Sequence, residues 1–177
     1  MIKTAEALTK LLAQPDGGTP FAILDGASVP DIRMRLHETQ PEHVCLYRGE
    51  LKPDMEEVAP YLVKLEPGTK FTDSVIQEGW GKHWGVFAVS SVDLDFLRRH
   101  FRAFLVVHNS DAKPMLFRYY DPRVLRVFLP TCTEDELRKF FGPVGRYIME
   151  AEDPRTALTF EAKDGKLKQQ QTVLGKE

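Results

Sequence analysis

The stretch FRYYDPRVLRVFLP, Phe117–Pro130, decides how this chain is read. Its first half has a two-residue period that reaches back into the preceding residues. Met115, Phe117 and Tyr119 fall on one side of an extended chain, Leu116, Arg118 and Tyr120 on the other. At Asp121-Pro122 the period changes. A carboxylate is a preferred helix N-cap because it accepts orphan backbone N–H groups, and proline at the first helical position has no N–H to leave unpaired. Val124, Leu125, Phe128 and Leu129 then recur at helical spacing up to Pro130. One segment thus predicts strand, cap and helix in succession. Arg123 and Arg126 lie off the apolar stripe and share a surface with Arg118. Read locally, Asp121 is a cap and the arginines are solvated or tied to nearby carboxylates.

The same punctuation continues outward. Downstream, Thr133 and Glu136 form a T-x-x-E capping box for a helix whose stripe is Leu137, Phe140 and Phe141, and Gly142-Pro143 stops it. ALTFEAK and KLKQQQTV flank Asp164-Gly165, a strong two-residue hairpin signal. LVVHN and MLFRYY flank SDAKP as a second hairpin. Upstream, FAILDGA is a buried strand closed at Asp25-Gly26, with HVCLYRG, PYLVKL and WGVFAVS as further strands. Between them lie predicted helices. Ile2, Leu8, Leu11 and Leu12 give a helix ending before Pro15, and Pro30 opens one that runs to about Thr39. Thr72 or Asp73 caps a short one. Ser90 or Ser91 caps a longer one carrying Leu94, Leu97 and Phe101, with Asp95 and Arg99 paired outside. Strands alternate with helices early and form hairpins late. This predicts an α/β single domain with a mixed β-sheet flanked by helices. Residues 1–151 form its body, and a hairpin and polar tail, 152–177, pack on it.

Bulk properties exclude several classes. At 177 residues the chain supports one well-buried core. A net charge of −2 selects no nucleic acid as a partner. Cys45 and Cys132 are the only cysteines, too few for a disulfide framework, and fit a reducing compartment. No signal-peptide pattern and no apolar run of spanning length appears, so no membrane role and a cytoplasmic location are expected.

Reactive motifs are sparse. The five histidines form no H-x-x-x-H pair and the cysteines no C-x-x-C. His43 and Cys45 share a strand face without a third ligand. Cys132 has no assigned base, and no G-x-S-x-G elbow occurs. GWGKHWG, Gly79–Gly85, lacks the phosphate-loop pattern and precedes a strand. Asp25 at a strand end, with Asp121 and His83, is the one constellation that suggests a metal-dependent hydrolase. Its competitor is a docking surface. FLRRHFRAFL and FRYYDPRVLRVFL interleave bulky apolar groups with arginine, a composition common at protein interfaces. The interface reading suits the chain better, with no metal, no cofactor and no catalysis expected.

FRYYDPRVLRVFLP followed by FFGP resembles the signature of the adaptor/chaperone proteins of bacterial type VI secretion, the Tap/Tec group, long catalogued as a domain of unknown function. FAILDGA, CLYRG, APYLVKL, GWGKHWGVFAVSS and LRRHFRAFLVV are similar to further segments of that family in the same order, over about residues 20–150. The resemblance implies an effector chaperone of the bacterial cytoplasm that binds a toxic effector and helps load it onto the VgrG spike protein, without catalysis. Arg118, Tyr119, Asp121, Pro122 and Arg123 match the motif. Arg118, Tyr119, Arg123 and Arg126 are the expected partner-binding residues. Asp25, Asp121, Pro122, Gly142 and Pro143 are the expected structural ones. The short C-terminus and the acidic TEDEL segment depart from the family pattern.

Overall fold

The computed structural model describes residues 2–13 and 17–175. Pro15, the side chain of Ile2 and the last two residues of the polar tail lie outside the described residues. The elements, in order, are α1 (Ile2–Leu12), β1 (Thr19–Asp25), α2 (Ile32–Thr39), β2 (His43–Cys45), α3 (Pro53–Val58), β3 (Pro60–Lys64), α4 (Lys70–Ser74), β4 (Gly85–Ser90), α5 (Leu94–Arg102), β5 (Val106–His108), β6 (Pro114–Leu116), α6 (Pro122–Phe128), α7 (Glu134–Phe141), β7 (Val144–Glu150), β8 (Thr156–Lys163) and β9 (Lys166–Val173). A π-helical turn, Val75–Gly79, prolongs α4, and a 3-10 turn, Leu129–Thr131, follows α6.

Seven strands form one sheet in the order β2-β3-β1-β4-β7-β8-β9, and β5 pairs with β6 in a separate two-stranded sheet. The α/β class holds. The pairing sense differs from the expected mixed sheet, because all seven ladders are antiparallel. Alternating elements suggested parallel crossovers, but the helices here return the chain to a non-adjacent position or the opposite direction.

Helices cover both faces of the sheet. Phe21 and Ile23 of β1 face a core shared with α5, α6 and α7; Ala22 and Leu24 face another shared with α1, α2 and α4. Two-sided burial is why FAILD reads as a continuous apolar run although its sheet is antiparallel. The late hairpin β8–β9 extends the sheet through β7, a strand absent from the sequence reading. Its burial is continuous from Arg146 to Glu150, so the polar–apolar alternation that marks a one-faced strand is missing.

Several local details shift. Asp93 caps α5 by accepting from the Phe96 N–H at 2.8 Å, replacing Ser90 and Ser91. Asp95 pairs with Arg98, not Arg99, and the Arg99 guanidinium sits over the Phe96 ring. Thr69, ahead of Thr72 and Asp73, caps α4. Asp31, after Pro30, sits at the α2 N-cap with a left-handed backbone. MLFRYY leaves the extended hairpin at Leu116, and Phe117–Tyr120 is irregular. The Asp121 cap, Pro122 at the first turn, the Thr133–Glu136 capping box and the Gly142 stop are all present.

Candidate functional site

β1 and β7 each pair antiparallel with β4, so their chains run the same way and their C-terminal ends lie at one end of the sheet. Each strand ends in a buried carboxylate, Asp25 and Glu150, exposed by 1% and 3%. The loop that feeds β4 lies between them, and the 117–123 segment packs over Asp25. A hub of two carboxylates, Asp25 and Asp121, and two arginines, Arg118 and Arg123, results, and Glu150 is held separately by that loop.

Asp25 accepts hydrogen bonds from the Ala27 N–H at 3.2 Å, the Ser28 hydroxyl at 3.0 Å and the Arg118 guanidinium at 2.5 Å. Arg118 also reaches Asp121 at 3.5 Å. Asp121 accepts from the Arg123 backbone N–H at 2.9 Å, and its two oxygens take the Arg123 Nε and Nη2 at 3.0 and 2.8 Å. The N-cap is therefore also one arm of a planar, two-bond ion pair. Burial works to raise the Asp121 carboxyl, but hydrogen bonds from Arg123 and the charges of Arg123 and Arg118 outweigh it and hold it below its ordinary value. Asp25 and Asp121 in turn raise the Arg118 and Arg123 guanidiniums through hydrogen bonds and charge.

GWGKHWG encloses a carboxylate. Glu150 accepts from the Gly81 N–H at 2.5 Å and the His83 N–H at 3.1 Å, and the His83 Nδ1 lies against its Oε1. Gly81 and His83 both have positive φ, 83° and 59°, and their N–H groups converge on the carboxylate, while the Lys82 N–H between them donates to the Gly79 carbonyl. Trp80 donates its indole N–H to the Pro154 carbonyl at 2.6 Å, and this ties the loop to the segment beyond β7.

The candidate residues thus divide. Asp25, Arg118, Asp121 and Arg123 meet. His83 turns away to Glu150, so the three groups of the hydrolase reading do not share a centre; Asp25 and Asp121 converge on a guanidinium instead. Among the described residues, no group of three or more His, Cys, Asp or Glu is placed to hold a metal ion. Tyr119, expected among the partner-binding residues, is fully buried. Its hydroxyl donates to the Phe101 carbonyl at 2.9 Å, and its ring stacks on Phe101 and meets Phe140 edge-on. Tyr120 beside it is 2% exposed, so strand alternation does not set the two apart; the irregular turn before α6 sends both rings into the core. Arg123 is half-exposed, whereas Arg126 is mostly covered, its guanidinium 4.0 Å from Glu152. Gly142 ends α7 at φ 46°, and the Pro143 carbonyl accepts from the Ser90 hydroxyl at 2.7 Å.

Two residues escaped the sequence reading. Glu150 carries the same signal as Asp25, an acid closing an apolar run, in RYIME. Arg102 donates to the carbonyls of Cys45, Leu46 and Tyr47 at 2.8–3.0 Å and fastens the segment after β2 to the end of α5. Nothing in its local sequence marks it apart from Arg98 and Arg99.

The family model described as Domain of unknown function (DUF4123) matches residues 20–139, well over half of the chain. The chain belongs to the DUF4123 family. The matched stretch contains Asp25, Arg118, Asp121 and Arg123, and it stops short of Glu150 and the C-terminal hairpin. No curated protein and no solved structure matches this DUF4123 chain. No helix among its described residues is long and apolar enough to cross a membrane.

Proposed function

We propose that this DUF4123 chain is an adaptor/chaperone of bacterial type VI secretion that grips an effector in the cytoplasm and helps load it onto the VgrG spike. The observation that carries this reading is the contrast between the motif and its surroundings. The charged motif residues are spent on one another, while the hairpin that leads into them exposes Val106, Met115 and Leu116 at 52%, 49% and 50%. Phe117 meets Phe128 edge-on at 4.7 Å, so the base of that hairpin adjoins the end of α6, where Val127 is 65% exposed. Exposed apolar side chains held by a rigid, internally neutralised support suit grip without chemistry. The link of this family to type VI secretion adaptors supports an effector and a spike protein as the partners.

Co-expression with a neighbouring toxin and the C-terminal region of a spike protein, followed by affinity capture, tests the proposal. Leu116→Asp and Val127→Asp should abolish capture with an unchanged circular dichroism melt, and Arg126→Glu should weaken it. Capture unaffected by both aspartates would refute the assigned surface, and no complex with either protein would refute the function.

A further inference from the structure

The two edges of the large sheet are treated differently. β2 is only three residues long, Pro41 lies just before it, and Arg102 occupies the carbonyls of residues 45–47 at its end. Such an edge offers little to another strand. β9 has eight residues, its ladder with β8 is continuous from Lys166 to Val173, and no strand among the described residues pairs with its other side. The run Gln169–Val173 has no charge, proline or bulge to deter pairing. Gln169, Gln170 and Gln171 are all exposed, although adjacent residues point to opposite faces. Val173 is 66% exposed, on the same face of the strand as the partly buried Leu167.

We propose that β9 is the contact through which two copies of this chain pair, edge to edge and antiparallel, about a two-fold axis at Gln170. The sequence of the strand favours a second copy over an unrelated strand because it is complementary to itself in this register. Pairing about residue 170 sets Gln170 opposite Gln170, Gln169 opposite Gln171, Lys168 opposite Thr172 and Leu167 opposite Val173. No lysine meets a lysine, the exposed Val173 gains an apolar neighbour, and the glutamine amides bond in a ladder across the join. An axis perpendicular to the sheet keeps each pair on one face, as an isologous contact requires. The contact is small for a permanent dimer, so association is reversible and concentration-dependent.

Sedimentation velocity of the full chain alone, over a wide concentration range, tests this without any partner. The parent protein should pass from monomer to dimer. Gln170→Lys places like charges on the axis, and Gln169→Lys/Gln171→Lys does so at two symmetry-related pairs; each should weaken association by roughly tenfold or more at low salt. Gln169→Glu/Gln171→Lys makes both cross-strand pairs attractive and should restore or tighten the dimer. Melting curves of all variants should match the parent; a variant that melts early is judged instead by the Glu/Lys pair. A protein that stays monomeric at millimolar concentration, or a dimer indifferent to all three variants, overturns the proposal. Either result leaves the adaptor reading intact, since that rests on the opposite test of partner capture.

Discussion

Replacing Asp25 with alanine should cost far more than a turn aspartate normally does. The side chain is 1% exposed and serves three donors. Losing acceptors for the Ala27 N–H and the Ser28 hydroxyl costs ~1 kcal/mol each. The Arg118 bond is charge-assisted, but its guanidinium side chain is 42% exposed, and solvent screening reduces that contribution to ~1 kcal/mol. The sum is ~3 kcal/mol, which for a chain of this size lowers Tm by roughly 6–12 °C. Asp25→Asn recovers only part of this, because an amide cannot present an oxygen to both the Ala27 N–H and the Arg118 guanidinium. A thermal melt at pH 7 measures the loss, and a double-mutant cycle with Arg118→Ala isolates the shared interaction. The two losses should be less than additive by ~1 kcal/mol. A melt of Asp25→Ala within about 1 °C of the parent, or strict additivity, would refute the hub as a structural element.

Two further outcomes follow from the same geometry. Because the Asp121 carboxyl is held below its ordinary value, its contribution is fully present above the unfolded value near 4 and is lost as pH falls through the lower native one. Asp121→Asn should therefore flatten the acid limb of stability below about pH 4, seen in urea unfolding at several pH values; an unaltered limb would place that stability elsewhere. Gly142→Ala combines a left-handed φ of 46° with a Cβ placed 2.6 Å from the His100 ring, whose Nε2 lies 2.9 Å from the Phe140 carbonyl. A loss of ~2 kcal/mol in chemical denaturation is expected, and a neutral result would mean that the α7 terminus has room to move.

What the sequence could show was set by the range of the interactions involved. The Asp121-Pro122 cap, the Thr133–Glu136 box and the Asp164-Gly165 turn were legible because each partner lies within four residues of the other. Caps further up the chain went astray where several candidates competed, as with Ser90, Ser91 and Asp93. β7 was invisible because VGRYIME, broken by Gly145, Arg146 and Glu150, shows neither the alternation of a one-faced strand nor the unbroken apolar run that marked β1 and β4. The hub was half legible: Asp25 and Asp121 stood out, but their pairing through Arg118 spans 93 residues, and no periodicity reports a contact of that separation.

By itself, then, the chain determined where those elements with local caps and turns begin or stop, that they form an α/β domain, and the motif through which its family is recognised. Only the tertiary structure decided that every strand pairs antiparallel, that Tyr119 is core while Arg118 is surface, and that a glycine-rich loop holds a carboxylate of its own chain. Local rules fix φ and ψ within a turn or a cap. Which distant groups share a buried site depends on the end of the sheet at which each strand finishes, and strand order follows from packing the whole chain at once.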